Sequence, residues 1–192
     1  MDCRCPYCRK AFSEVDDLVK SDGKIRFVVK EFPILGEDSI NSSRFVIAMR
    51  MLHGDDAYKK SYDALITLKG SPDPETLSRL ARDLGFDPKP ILDLMPDPKI
   101  TAILAANHAL ADKLNISGTP TFVIDHNMLR GYVPEEEMRK IVAEQRAGRL
   151  VFVGDTSFHL DIPGGRPVGA CVLVLTFAFG WTPCIGPTPS RS

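Results

Sequence analysis

Apolar positions along this chain recur mainly at helical spacing, interrupted by three short runs that read as strands. In "CRKAFSEVDDLVKSDG", Ala11, Phe12, Val15, Leu18 and Val19 form one helical stripe, and Gly23 ends it. A first helix is therefore predicted to start at the "CPYC" box, Cys5 to Cys8. The next run, "KIRFVVKEFP", gathers Ile25, Phe27, Val28, Val29 and Phe32 ahead of Pro33, which predicts a buried strand.

From Glu37 to Asn115 the pattern is helical throughout, with about five helices expected. Three of their starts share one chemistry, Asp73-Pro74, Asp87-Pro88 and Asp97-Pro98. In each, the Asp can accept from free amides while Pro occupies the first helical position, where a missing N–H costs nothing. Leu77, Leu80, Ala81 and Leu84 form one apolar stripe; Ile100, Ile103, Leu104, Leu110 and Leu114 form another. After "NISGTP", the stretch "TFVIDHNMLRGY" predicts a β-hairpin around Asp125-His126-Asn127. A last helix follows in "VPEEEMRKIVAEQRAGR", with Glu135 to Glu137 at its start, Met138, Ile141 and Val142 inward, and Arg146 and Arg149 at its end, matching the helix dipole.

The character changes from Leu150, and "VGACVLVLTFAFGW" is an uncharged run of about 14 residues, shorter than the roughly 20 that a spanning helix needs. A chain of 192 residues that is 44% hydrophobic suits one well-formed core plus a tail. Its 24 basic and 25 acidic residues are interspersed without a basic stripe, which argues against a nucleic-acid partner. Three of the five cysteines cluster at Cys3, Cys5 and Cys8, and the others are Cys171 and Cys184, a distribution that suits a reactive site better than a disulfide framework.

A cysteine at a helix N-terminus meets free amides and the positive end of the dipole, which favours its thiolate, so Cys5 is the expected nucleophile. Cys8 lies one turn on, on the same side, and can resolve a mixed disulfide at Cys5. Pro6 and Tyr7 lie between them and help set the redox potential. The competing reading makes Cys3-x-Cys5-x-x-Cys8 part of a zinc knuckle, yet no second close pair of ligands follows, so no metal and no cofactor is expected. His53, His108, His126 and His159 are scattered and read as surface or packing residues, and the acidic runs as solvated helix faces. Glu31 admits two readings, a proton-relay acid near the thiols or a solvated charge at a strand end.

The segments "CPYCRKAF", "VVKEFPILG", "ANHALADKLNISGTPTFVI" and "GYVPEEEMRKIV" together resemble the DsbA-like branch of the thioredoxin superfamily, over residues 2–147. The resemblance implies an α/β thioredoxin fold with an inserted all-helical block at 37–115, within a domain spanning 1–148. It also implies a cis-proline loop at Thr119-Pro120, opposite the box, whose backbone pairs with an extended substrate beside Cys5. Cys3 stands where the family usually has an aromatic residue and is expected to pack. The family strand that leads into the box has only Met1 to Arg4 here, so the first central strand is largely missing, and an N-terminal truncation is expected. No leader sequence precedes the box, whereas the family implies a periplasmic or other extracytoplasmic location.

Residues 149–192 are expected to form a poorly ordered tail whose apolar fragment, 168–187, resembles the CcdA/DsbD membrane family, with Cys184 matching a redox cysteine of that segment. Membrane contact is expected only through this tail. The activity implied is thiol:disulfide exchange on cysteine-containing exported proteins, with a membrane or soluble redox partner recycling the pair, in the oxidising or the isomerising and reducing direction. The alternatives are a CxCxxC metal-binding module and an inactive fragment of a DsbA-like enzyme.

Overall fold

The computed structural model describes the backbone of residues 1–155 and the side chains as far as residue 147. The apolar fragment at 168–187, Cys171, Cys184 and His159 lie outside the described residues. Met1–Leu150 form one compact unit.

Helix α1 spans Pro6–Asp22, with Pro6 in its first turn. It stops at Gly23, whose φ of +67° lies in the left-handed region that side chains with a β-carbon disfavour, and the Gly23 N–H returns to the Val19 carbonyl. The helical block follows as α2 (Glu37–His53), α3 (Asp55–Thr67), α4 (Pro74–Asp83), α5 (Pro88–Leu94) and α6 (Pro98–Lys113). The three Asp-Pro starts act as read from sequence: Asp73 accepts from the Thr76 N–H at 2.7 Å, Asp87 from Lys89 at 3.0 Å and Asp97 from Lys99 at 2.7 Å. Helix α2 is the centre of the block. It buries Phe45, Val46, Ile47, Ala48 and Met49 in succession, the mark of a helix wrapped by its neighbours. Helix α6 buries a narrower row than its sequence stripe, Ile100, Leu104 and Ala111, and leaves Ile103 and Leu114 exposed.

Strands β1 (Thr121–Ile124) and β2 (Asn127–Arg130) form an antiparallel hairpin, with Phe122 opposite Leu129 and Ile124 opposite Asn127. Asn127 therefore belongs to β2, and the turn consists of Asp125 and His126, with Asp125 at φ +55°. Helix α7 runs Glu135–Asp155 and buries Met138. Its Arg146 reaches Asp22 at the end of α1 through two bonds of 2.6 and 2.7 Å.

The strand predicted over Ile25 to Phe32 does not form. Among the described residues its main chain pairs with the main chain of one other residue: the Met1 N-terminus donates to the Lys30 carbonyl at 2.8 Å, and the Phe32 N–H donates to the Met1 carbonyl at 2.8 Å. These two bonds make one rung of a parallel ladder with no second rung, so the segment stays extended but unpaired. Phe27 and Val28, predicted to be buried, are instead exposed. Asp2 to Cys5 also leave the strand path, because the Cys5 N–H closes a turn onto the Asp2 carbonyl at 3.1 Å.

Helix α1 separates two apolar clusters. Cys8 belongs to the one built on the helical block with Phe45, Met49, Tyr62 and Leu65, and Phe12 packs against it. Ala11, Val15 and Leu18 face the other way, onto Phe122 of β1 and Met138 of α7. The box thus sits where the block and the hairpin side meet.

Candidate active site

Cys5 is the N-cap residue of α1. Its carbonyl accepts the Arg9 N–H at 3.0 Å, and its sulfur donates to the Thr119 main-chain oxygen at 3.2 Å. The Thr119–Pro120 peptide is cis, and the Pro120 carbonyl accepts the Gly131 N–H at 2.8 Å, which ties the loop to the base of the hairpin. The structure thus brings together Cys5, Cys8, Thr119 and Pro120, four of the six residues singled out in the sequence. Pro6 and Tyr7 are on the same turn but face outward; Tyr7 is 63% exposed. All three cysteines of the cluster are free thiols, so the site is described in its dithiol form.

Both box thiols are buried in the same cluster, and 5% of Cys5 remains exposed. Cys8 is fully buried. Burial pushes its pKa up to about 11, and the neighbouring Cys5 adds to the rise, while hydrogen bonds from the Asp2 backbone and the Thr119 side chain pull the other way. Cys8 is therefore held as a neutral thiol at physiological pH. Cys3, also buried, has its pKa raised well above the ordinary range, first by burial and then by the carboxylates of Glu31 and Asp2. A thiol so placed is a poor nucleophile. It packs in the core cluster, and its carbonyl accepts the Arg9 Nε at 3.0 Å.

Glu31 is not a solvated charge. It is 3% exposed, and its carboxyl accepts from Tyr58 Oη at 2.6 Å and Ser43 Oγ at 3.0 Å, while Asn107 Nδ2 donates to its main-chain oxygen at 2.9 Å. Burial raises its pKa, opposed by the Tyr58 and Ser43 hydrogen bonds. The carboxyl is engaged with α2 and α3 and makes no hydrogen bond to Cys5 or Cys8. The sequence offered no sign of this burial, because the partners lie on three separate helices.

Asp2 was also missed. It is fully buried, and its carboxylate accepts three hydrogen bonds, from the Arg4 N–H (2.8 Å), the Ile34 N–H (3.0 Å) and Ser39 Oγ (2.8 Å). The available signal was an Asp three residues ahead of a helix N-cap, where its side chain can take the amide two residues on. The histidines pack or face solvent: His53 lies against Phe86 and His108 against Phe32, with ring centroids 4.5 and 4.7 Å apart, and His126 is exposed. Among the described residues no group of three or more His, Cys, Asp or Glu is arranged to hold a metal ion. No described helix is long and apolar enough to cross a membrane.

Cys5 at the N-terminus of α1, Cys8 one turn on and the cis Thr119–Pro120 peptide against the Cys5 sulfur thus form one dithiol site beside a two-stranded sheet. The model of the DSBA-like thioredoxin domain matches residues 1–143, and the chain belongs to that family of thiol:disulfide oxidoreductases. A thioredoxin-like oxidoreductase from Silicibacter pomeroyi DSS-3 is 35% identical, with a TM-score of 0.71 over 77% of this chain and 83% of that one. The thiol-disulfide exchange protein alpha-DsbA2 from Wolbachia pipientis is 25% identical, with a TM-score of 0.70 over 76% and 78%. A periplasmic thioredoxin-like protein from Salmonella enterica serovar Typhimurium shares the fold at 21% identity and a TM-score of 0.69, over 77% and 81%. Among curated proteins, Na(+)/H(+) antiporter NhaA 1 of Salinispora arenicola is 26% identical over 148 residues, which are 77% of this chain and 22% of the antiporter. The chain thus spans about a fifth of that relative's length, and the antiporter's transport activity is not carried over.

Proposed function

We propose that this chain exchanges disulfides with cysteine-containing exported proteins through Cys5 and Cys8. One observation carries the proposal: the Cys5 sulfur lies at the helix N-terminus against the Thr119 main-chain oxygen, while Cys8 is sealed behind it. In the oxidising direction, a substrate thiolate attacks the Cys5 sulfur of a Cys5–Cys8 disulfide. The Cys5–Cys8 bond breaks, a substrate–Cys5 disulfide forms, and Cys8 leaves as a thiolate and takes up a proton, as its raised pKa favours. A second substrate thiolate then attacks the substrate sulfur, and Cys5 departs. The substrate loses two electrons and the enzyme pair gains them.

In this reading Thr119 and Pro120 hold an extended substrate backbone beside Cys5, with Tyr7 flanking it on the solvent side. Residues 1–148 carry the exchange activity, and 149–192 form an appended tail. The location is extracytoplasmic, in keeping with the family, and a membrane-bound or soluble redox partner recycles the pair. No metal or cofactor takes part.

The test is oxidative refolding of a reduced, disulfide-containing model protein by the oxidised chain, together with the equilibrium potential of the pair against glutathione. Stoichiometric disulfide transfer at a potential well above thioredoxin's roughly −270 mV supports the oxidising direction. A potential near −270 mV with insulin reduction turns the direction around, and no exchange at all overturns the proposal.

A further inference from the structure

We infer that Asp2 is a positioning residue for the redox pair, holding the turn that sets Cys5 against Thr119 and above Cys8. The inference rests on the proposed exchange at Cys5 and Cys8 and extends it to a residue that never touches the substrate. The carboxylate of Asp2 is fully buried and has three donors, each from a different piece of chain. Arg4 N–H lies within the turn itself, Ile34 N–H comes from the segment after the unpaired stretch, and Ser39 Oγ comes from the first turn of α2.

The main chain of the same residue meets the box. The Asp2 carbonyl accepts the Cys5 N–H at 3.1 Å. Asp2 is therefore fastened through its side chain to α2 and Ile34, and through its backbone to Cys5. Met1 supplies only one rung of ladder to the neighbouring segment, so the sheet contributes little to holding this turn. The carboxylate takes over that task.

Preorganisation of two thiols raises their effective concentration for closing a disulfide, and loosening the turn lowers it. Removing Asp2 is therefore expected to destabilise the Cys5–Cys8 disulfide relative to the dithiol. Asparagine is the conservative variant. Its side-chain oxygen can keep the Arg4 and Ser39 donors, but its amide cannot accept from Ile34.

The experiment measures the equilibrium constant of the purified full chain with reduced and oxidised glutathione, by trapping free thiols and weighing the products, alongside the thermal midpoint. For Asp2→Ala the constant for disulfide formation is expected to fall about tenfold, and for Asp2→Asn about threefold. Ser39→Ala, which removes one of the three donors and is the mildest change, is expected to shift it about twofold in the same direction. A purely structural role lowers the midpoint and leaves the constant of the folded protein unchanged. Equal constants in wild type and in whichever of the three variants fold overturn the inference while leaving the exchange proposal intact. Failure of the wild type to form a Cys5–Cys8 disulfide overturns the exchange proposal, and this inference with it.

Discussion

The Cys5 sulfur donates to the main-chain oxygen of Thr119 at 3.2 Å, across 114 positions of sequence. The five helices α2 to α6 are inserted between these two residues, so the helical block both builds the larger core and brings the ends of its insertion together. This closure turns a four-residue box into a site with a second wall. Cys8, one turn further along α1, is sealed from solvent by the same core.

Cys8 should make the reduced protein sensitive to alkali. Its folded pKa of about 11 lies above the unfolded value of 9.0, so its contribution to stability is fully present below pH 9 and is lost as pH rises through 11. Urea unfolding of the reduced chain across this window should show a falling stability that Cys8→Ala lacks. Parallel pH profiles for the two proteins would contradict the assignment.

Glu31 should tolerate loss of charge far better than loss of its side chain. Glu31→Ala leaves the Ser43 and Tyr58 hydroxyls without their acceptor and is expected to cost about 2–4 kcal/mol. Glu31→Gln keeps an acceptor and should cost less than about 1 kcal/mol near neutrality. Because burial raises the Glu31 pKa above 4.5, the wild type loses this contribution as pH climbs through the folded value, and the glutamine variant should gain on it with rising pH. Denaturant melts at three pH values check both the size and the slope.

Val28 offers a test of the unpaired segment. It is 52% exposed, so Val28→Lys should change stability by less than about 0.5 kcal/mol. Had the segment formed the buried strand that its residues predict, the same change would forfeit about 1.5–3 kcal/mol of apolar burial. The thermal midpoint of the variant separates the two.

Arg146 and Asp22 join α7 to the end of α1, and the guanidinium holds the Asp22 carboxyl down to about 2. Stabilisation from a depressed carboxylate is present above its unfolded value of 3.8 and disappears as pH falls through 2. Arg146→Gln should therefore be less stable than wild type at neutral pH, with the gap closing in acid. A gap that is constant from neutral pH to pH 2 would contradict the pairing.

Local chemistry was the legible part of the sequence. Pro6 and Gly23 bracket α1, the three Asp-Pro pairs cap α4, α5 and α6, and the apolar alternation around Asp125 marks the hairpin. Each of these signals is complete within a few residues. What could not be read depends on partners elsewhere in the chain. Ile25 to Phe32 has the composition of a strand, but whether a strand forms depends on the main chain that lies beside it, and among the described residues Met1 alone offers its main chain. Asp2 looked like the remnant of a strand because its partners, Ile34 and Ser39, become neighbours only after folding. Glu31 is hidden for the same reason. The box and the Thr119-Pro120 loop stood out because their residue types are constrained by chemistry and not by packing.

The central claim, that exchange runs through Cys5 with Cys8 resolving, is tested most directly by trapping. A Cys8→Ser chain mixed with a disulfide-containing substrate should accumulate a mixed disulfide mapped by peptide mass to Cys5, and Cys5→Ser should lose exchange by more than about a hundredfold. A mixed disulfide mapped to Cys3, or undiminished exchange in Cys5→Ser, would contradict the account.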